Sequence, residues 1–537
     1  MIRAGRKKAR SLRFHATHSS VYSLLTFNPW TAVLSLNRKV PMSKFRVLPL
    51  VLAISMASQA QAADLLTIAR DALANNASLA ASQAGYNSTQ EGIDIARGAL
   101  LPQITASGSV THYDVIESQT SSTSGAGDAA NVGTGAGTGA IAGAAGREDD
   151  HYTSTSVGVQ ATQALFDATN WYNLEAAKRS TAQEALALAE DRQQLLYDVS
   201  NAYFEVLRAR DQLDTLRAEE RAIGRQLEQS REQFNVGVIA ITDVQDAEAS
   251  YDQVRAERIA QESTLEVNFE ALERLTGKRY ASIDGLADDL PIEHPQPSAR
   301  SAWVEMATSQ NLALQAARAG IDIARANVDV ARAGHYPTLD AVAAYDYSHS
   351  DMDYLRGHGE EASIGLQLSL PIYTGGITSA QVRQNTYLLE QAQFQAEDQL
   401  RDASQQVRSY FSQVASNVLS VAAYKRAIES NRSSLEATRN GYEVGTRTIV
   451  DVLDAQENLY TAIYNYAGAR YDYVLNLLAL RQQAGILDTD SLDALNKWLR
   501  ADKPVSLDIR QETGDIELGN GQYNNHSNPM AGVVSGG

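Results

Sequence analysis

The chain has 537 residues, which include 46 Lys and Arg, 64 Asp and Glu and no Cys. Without thiols, a disulfide framework, a thiolate metal site and a cysteine nucleophile are all excluded. The formal net charge of −18 argues against a nucleic-acid partner, because such a protein needs a basic surface to neutralise phosphates.

The first predicted element is an export signal. Residues 42–62 read MSKFRVLPLVLAISMASQAQA, with Lys44 and Arg46 before a short apolar stretch and a small-x-small site at the end. This pattern predicts a secretory signal peptide. The alternative, a membrane anchor, is disfavoured because the apolar run is shorter than the roughly 18 residues that a spanning helix needs. We interpret residues 1–41 as an over-extended N-terminus upstream of the natural start.

The chain contains a tandem duplication. Asn76–Ala106 matches Asn311–Ala341, and Asn235–Ala247 matches Glu443–Ala455. We therefore predict a first structural repeat at 63–290, a Pro-rich linker at 291–297 and a second repeat at 298–490. A C-terminal helix and a polar, disordered tail are expected at 491–537, with the tail starting near Lys503.

Each repeat is predicted to contain a β-hairpin, at about 103–166 and about 338–373. Polar and apolar residues alternate in these segments, and each strand has about 10 residues, the length of a transmembrane strand. The small-residue segment from 118 to 150 is interpreted as the loop of the first hairpin. Four strands cannot close a barrel, so other copies of the chain must complete it in lipid. Two copies would give eight strands and a filled interior, whereas three would give twelve and room for a pore.

A very long helix follows each hairpin. In the first repeat it is predicted from about Ala168 to Phe234, and a heptad pattern of apolar residues runs along it. The second repeat has the same pattern. The two seams comprise Leu195, Val199, Ala202, Val206, Ala209, Leu213, Leu216, Ile223 and Leu227, and Ala403, Val407, Tyr410, Val414, Val421, Ile428 and Leu435. A cytoskeletal coiled coil is the alternative, which export and the intervening strands disfavour.

Two sequence motifs carry a family resemblance. GYEVGTRTIVDVLDAQENLY (Gly441–Tyr460) and FNVGVIAITDVQDAEASYD (Phe234–Asp252) resemble the TolC family of outer-membrane channels, which serve tripartite efflux pumps and type I secretion systems. The resemblance implies an α+β membrane protein that forms a homotrimer. Four strands per chain would make a twelve-stranded outer-membrane β-barrel, continuous with a long periplasmic α-helical barrel.

The resemblance also implies a function. The protein would be the exit duct in the outer membrane of a Gram-negative bacterium, conducting drugs, solutes or proteins passively through a gated periplasmic tunnel. Its partners would be a periplasmic adaptor (membrane-fusion) protein, an inner-membrane transporter and outer-membrane lipid. The sequence leaves the cargo and the choice between efflux and secretion open.

The two motifs have the features of a gate. Each contains a Val-Gly break, at Gly237 and Gly445, where the chain is expected to turn as at a hinge. Asp451 and Asp454 are three residues apart and therefore lie on one helix face. Symmetry would multiply them into stacked acidic rings, which by resemblance line the periplasmic entrance.

The resemblance further implies links between the inner and outer helices. Tyr442 and Arg447 would bond to Asp243, with Thr242 beside it. The alternative is that Asp243 and Asp451 only cap helix N-termini.

One position departs from the family pattern. The family pairs a Gln, matched here by Gln226, with a Glu, but this chain has Arg439 at the position of the Glu. We therefore expect Arg439 to pair with a carboxylate instead.

No catalytic constellation, metal site or cofactor motif is evident in the sequence. The protein is therefore expected not to be an enzyme and to need no cofactor. A trimeric structural or adhesive envelope protein without channel activity is the alternative function.

Overall fold

The structure, a computed structural model, describes residues 62–114, 151–351 and 356–506. The predicted upstream segment at 1–41 and the signal peptide up to residue 61 lie outside the described residues. The small-residue loop at 118–150 and the tail beyond residue 506 also lie outside them.

The described chain is predominantly helical, and its elements repeat. Its helices are α1 (Leu65–Asn75), α2 (Ala77–Gly98), α3 (Ala168–Asn235), α4 (Ile241–Thr276), α5 (Arg300–Gln310), α6 (Leu312–Ala333), α7 (Ile377–Glu443), α8 (Ile449–Gln483) and α9 (Thr489–Asn496). Its strands are β1 (Gln103–Asp114), β2 (His151–Phe166), β3 (Ser282–Leu286), β4 (Thr338–Ser350), β5 (Gly357–Ser369) and β6 (Leu499–Ser506). Two short helices, a hairpin, a long helix and a shorter helix thus occur twice in the same order.

The duplication extends to individual hydrogen bonds. Asn76 caps α2 by accepting a bond from the Leu79 backbone, and its amide nitrogen donates to the carbonyl of Leu275. Its counterpart Asn311 caps α6 in the same way and donates to the carbonyl of Gln483. Each Asn therefore ties the start of one helix to the end of the helix that closes its own repeat.

The long helices confirm the prediction from the heptad pattern. Helix α3 has 68 residues and α7 has 67, which at 1.5 Å per residue gives each a length of about 100 Å. Every predicted seam residue of α3 is buried, and of the α7 seam only Tyr410 and Ile428 are partly exposed. About halfway along α3, Tyr203, Phe204, Trp303 and Tyr471 form the centre of the main core with residues from α1 and α4.

The two hairpins join into one antiparallel sheet of order β1-β2-β4-β5. Its register places Ala106 opposite Val159, Val159 opposite Tyr345, and Tyr345 opposite Ala362. On β5, Ile364, Leu366 and Leu368 expose 90%, 70% and 69% of their surface. The sheet therefore presents an apolar face that no described part of the chain covers.

Within the described residues, no helix combines the length and the apolar composition needed to cross a membrane.

A second, two-stranded sheet was not predicted from the sequence. Strand β3 pairs with β6, with Ile283 opposite Val505, and Ala63 bridges to Ile283 as well. Lys503 through Ser506 thus belong to β6, so the prediction of a disordered tail from Lys503 is wrong for these residues. Strands β3 and β6 are more than 200 residues apart in the sequence. Strands this short also show too little periodicity for their pairing to be predicted.

Two glycines at helix ends allow a stability test. Gly485 follows α8 with a φ of +78°, and a Cβ there would overlap the carbonyl oxygen of Gln310. Gly277 follows α4 with a φ of +67°, but its Cβ would meet nothing closer than 3.8 Å. Gly277→Ala should cost about 1–2 kcal/mol, from the left-handed backbone alone. Gly485→Ala should cost at least about twice as much, because the α5–α6 connection must move. Apparent melting temperatures measure the difference, and equal losses would contradict the close packing at Gly485.

Candidate functional site

Both long helices end in the same type of turn. Gly237 and Gly445 have φ values of +78° and +76°, as predicted for Val-Gly breaks, and no atom lies within 4 Å of a Cβ built on either. Their backbone N–H groups donate to the carbonyls of Phe234 and Tyr442. Because α3 and α7 both begin next to the sheet, both turns lie at the end of the helices farthest from it.

The second turn leads into α8 through a reciprocal cap. Thr448 accepts a bond from the backbone of Asp451, whose carboxylate accepts from the backbone and hydroxyl of Thr448, both at 2.8 Å. These bonds hold the pKa of Asp451 below its usual range. Asp451 therefore takes part in the cap of α8. Asp454, one turn further along α8, is exposed.

The first turn has no such cap. Helix α4 begins after Ala240 without a side-chain cap bond, Thr242 is exposed and Asp243 is half-buried in the first turn. The proposed capping of α4 by Asp243 is therefore not observed.

A direct bond joins the two helix pairs near their turns. The hydroxyl of Tyr442 donates to Oε1 of Gln233 at 3.1 Å. Burial raises the pKa of Tyr442, and the nearby negative charge of Asp243 raises it further. This bond differs from the prediction that Tyr442 bonds to Asp243. The half-buried ring of Tyr442 packs on Ile223, Val244 and their neighbours, which brings its hydroxyl to Gln233 on α3.

Arg447 also differs from its predicted partner. Its guanidinium lies 3.5 Å from the carboxylate of Asp451, four residues later in the chain, and not on Asp243. Arg447 directly precedes the cap residue Thr448, so the carboxylate of Asp451 in the first turn of α8 lies within reach of its guanidinium.

Several buried polar side chains near the turns lack partners. Gln226 on α3 is 9% exposed, and its amide nitrogen has no hydrogen-bond partner among the described residues. The same holds for the hydroxyl of Ser230 and for both amide atoms of Gln456 on α8. Arg439 has no ion pair within the described chain, so its expected carboxylate partner is not observed. An unpaired buried polar group costs about 1–3 kcal/mol.

A cavity of about 640 Å³ lies close to the turns, between α3, α4 and α8. Four carboxylates line it: Glu219 from α3, Glu257 from α4, and Asp454 and Glu457 from α8. Glu219 is only 6% exposed. Burial, together with the negative charges of Glu257 and Glu457, raises the pKa of Glu219 from its ordinary value of 4.5 to about 7. Sequence reasoning missed Glu219, which in the sequence is one of many acids on a long helix.

The chemistry of these residues is that of binding and linkage. Among the residues that the structure describes, no three His, Asp or Glu side chains are close enough to hold a metal ion. The arrangement instead offers hydrogen bonds between two helix pairs and a group of carboxylates around one cavity.

Comparison with known proteins gives consistent matches. Residues 68–278 and 303–486 match the family model described as "Outer membrane efflux protein". The chain is 35% identical over 465 residues to the outer membrane protein TolC of Vibrio cholerae, covering 85% of this chain and 99% of that one. It is 29% identical to the alkaline protease secretion protein AprF of Pseudomonas aeruginosa, covering 65% and 72%.

A solved structure agrees with these matches. The CmeC outer membrane channel of Campylobacter jejuni has a TM-score of 0.63 at 16% identity, with 87% of this chain and 98% of that one covered. This likeness confirms the predicted fold class of β-hairpins joined to long helices in an outer-membrane channel fold.

The raised pKa of Glu219 makes stability depend on pH. The unfolded chain loses the Glu219 proton near pH 4.5, whereas the folded chain holds it until about pH 7, so folding is penalised progressively as pH rises between these values. Glu219→Gln should therefore raise the apparent melting temperature at pH 8, on the order of 1–3 °C. At pH 4, where both states are protonated, it should have little effect.

The exposed Glu228 on the same helix is the matched control. Glu228→Gln should leave the melting temperature nearly unchanged at both pH values. A Glu219→Gln effect that is equal at pH 4 and pH 8 would contradict the buried, ionisable carboxyl.

Proposed function

Because the chain belongs to the outer membrane efflux protein family and resides in the outer membrane, we propose that it is the gated exit duct of a tripartite efflux pump or type I secretion system. The observation that carries this proposal is the pair of Val-Gly turns, which lie together at the end of the long helices farthest from the sheet and are joined by the Tyr442–Gln233 bond. A connection of this kind between helix pairs is suited to holding a passage closed.

The working unit is a homotrimer. Strands β1 and β5 each pair on one side only within the described chain, and their free edges cannot face hydrocarbon. Three chains supply twelve strands, enough for an open lumen, whereas two would give a barrel filled by side chains. The apolar face of the sheet then contacts outer-membrane lipid.

In the trimer, Asp451 and Asp454 form two acidic rings at the periplasmic entrance. Their positions one turn apart at the start of α8 place three copies of each carboxylate around the axis. Clustered carboxylates in a narrow passage concentrate cations. The role of Asp451 in the helix cap is compatible with a place in the ring, because a capping carboxylate stays ionised.

The gate consists of the bonds at the turns. Tyr442 holds the end of α7 to α3, and Arg447 is held by Asp451 beside it. Gly237 and Gly445 serve as hinges, and Thr242 and Asp243 offer alternative partners for Tyr442 and Arg447 in another packing. The unpartnered amides of Gln226 and Gln456 support a second packing, because a realignment of helices can satisfy them.

Partner proteins supply the energy for transport and the control of the gate. A passive passage has no energy source, so an inner-membrane transporter drives cargo, and a periplasmic adaptor protein couples the two and biases the gate. The family relatives include a protein named for protease secretion as well as TolC itself, so both secretion and efflux remain within this proposal. A structural or adhesive envelope trimer is the alternative function, and it predicts no conductance.

Planar bilayer recording tests the duct. The purified protein should run as a trimer that resists mild SDS, conduct with cation preference, and be blocked by trivalent cations added on the periplasmic side. Asp451→Asn with Asp454→Asn should remove the block while Asn keeps the helix cap. A trimer without conductance would favour the structural alternative, and unchanged block would place the constriction elsewhere.

Substitutions at the turns test the gate. Tyr442→Phe removes a hydrogen bond worth about 0.5–1.5 kcal/mol, so Tyr442→Phe with Arg447→Ser should raise single-channel conductance and make cells leaky to large antibiotics. Gln233→Leu should resemble Tyr442→Phe and add little to it, because both remove the same bond. Asp243→Ala should have a smaller effect, since Asp243 acts on Tyr442 only through its charge.

Tyr424→Phe is the matched control, the same change about five turns away on α7. It should leave conductance at the parent value. If the gate variants conduct no better than this control, the Tyr442 bond does not hold the passage closed.

A further inference from the structure

We propose that the cavity between α3, α4 and α8 is a binding site for monovalent organic cations that carry an aromatic ring. The proposal rests on the proposed duct function. It states that one class of transported molecule binds transiently in the wall of the tunnel. Asp454, Glu457, Thr461 and Tyr464 line the cavity from α8 at spacings of three, four and three residues. They therefore share one face of that helix, so the cavity opens on the face that carries Asp454.

The buried carboxyl of Glu219 is the first reason to assign a ligand. Glu219 is 94% buried and lines the cavity, yet it has no hydrogen bond or ion pair with any described residue. A buried carboxylate normally has a partner, because leaving it unpaired is costly. A positive charge in the cavity would provide that partner.

The shape and lining of the cavity set the class of cation. A volume of about 640 Å³ lies within the range of roughly 300–1,000 Å³ typical of sites for drug-sized molecules. Leu216, Ile223 and Val254 give it an apolar side, while Tyr460 and Tyr464 line the α8 side. Tyrosine rings attract cations through their faces. An aromatic ammonium ion satisfies both the apolar and the anionic parts of this lining.

A bare metal ion fits less well. The carboxylates come from three different helices around the cavity, and no three of them are close enough to hold a metal in the described chain. A ligand with an extended body and one delocalised charge can meet carboxylates that are spread in this way.

The charges around Glu219 make binding depend on pH. Glu257 from α4 and Glu457 from α8 face it and raise its pKa, whereas Tyr460 faces it as a neutral phenol. The positive charges of Arg221 and Arg225 on α3 and of Arg439 on α7 act on Tyr460. Because Glu219 is half-protonated near pH 7, the affinity for a cation of fixed charge should fall as the pH drops from 8 to 6.

Titration with ethidium tests the site. Ethidium is aromatic, and its quaternary nitrogen carries the same charge at every pH. The full-length trimer in detergent is titrated at pH 6, 7 and 8, with fluorescence anisotropy as the measurement. We expect saturable binding that strengthens as pH rises. Glu219→Gln should weaken binding at pH 8 about tenfold or more, as for the loss of one charge-assisted contact, and should abolish the pH dependence.

Two further variants make the test specific. Glu228→Gln, which removes the same charge from an exposed position outside the cavity, should bind ethidium like the parent. Glu257→Gln removes a like charge that faces Glu219, so it should move the midpoint of the pH dependence to lower pH. Glu257 is exposed, so this variant keeps the site testable even if Glu219→Gln fails to assemble.

The possible results distinguish a failure of the proposed binding site from a failure of the proposed duct function. Equal affinity in the parent, Glu219→Gln and Glu228→Gln, or equal weakening in both variants, would overturn the cavity as the site and leave only diffuse attraction to an acidic surface. No saturable binding by the parent would overturn it as well. Bilayer conductance of the same preparations reports on the duct independently, so a conducting trimer without Glu219-dependent binding refutes this inference alone.

Discussion

The hydrogen bonding of the two sheet edges is the constraint on which the rest of the molecule depends. Within the described chain, β1 and β5 are each paired on one side only. Backbone groups left open in hydrocarbon cost several kcal/mol each, so the sheet is stable in a membrane only when other copies complete it. Closure by identical chains repeats every residue around one axis, which is how single acids such as Asp454 become a ring.

The second constraint is the continuity of α3 and α7. Helix α3 starts two residues after β2 ends and runs for about 100 Å before Gly237. The distance from the sheet to the turns is therefore set by helix length and not by flexible segments. Ile223 and Leu227 of α3 pack against Val244 of α4 and Leu453 of α8 at the turn end. Opening of the passage at the turn end therefore requires these helices to repack. The side chains between the helices, and not the loops, determine whether the gate is open or closed.

The features that could be predicted from the sequence are those that a local pattern of residues encodes. The long helices and four of the strands follow from periodicities of seven and two residues, and the repeats follow from direct alignment. The β3–β6 sheet escaped prediction because its pairing joins segments more than 200 residues apart. The resemblance led to Asp243 as the partner of Tyr442, but the packing of its ring selects Gln233. The burial and the raised pKa of Glu219 could not be predicted from the sequence, because both depend on α4 and α8 as well as on its own helix.

The main core lies about halfway along α3, and its large polar side chains are hydrogen-bonded. In the main core, Tyr203 donates to the carbonyl of Asp284, Trp303 to that of Pro297, and Tyr471 to the carboxylate of Asp211. These bonds satisfy the large side chains there and favour a single packing.

At the turn end, polar residues occupy the buried side of α3 at spacings of seven and four: Glu219, Gln226 and Ser230. The amide nitrogen of Gln226 and the hydroxyl of Ser230 have no hydrogen-bond partner among the described residues, so the free energy of this packing lies closer to that of alternatives that would satisfy them. A ligand or a docked partner that binds such an alternative better shifts the balance at the turn end towards it.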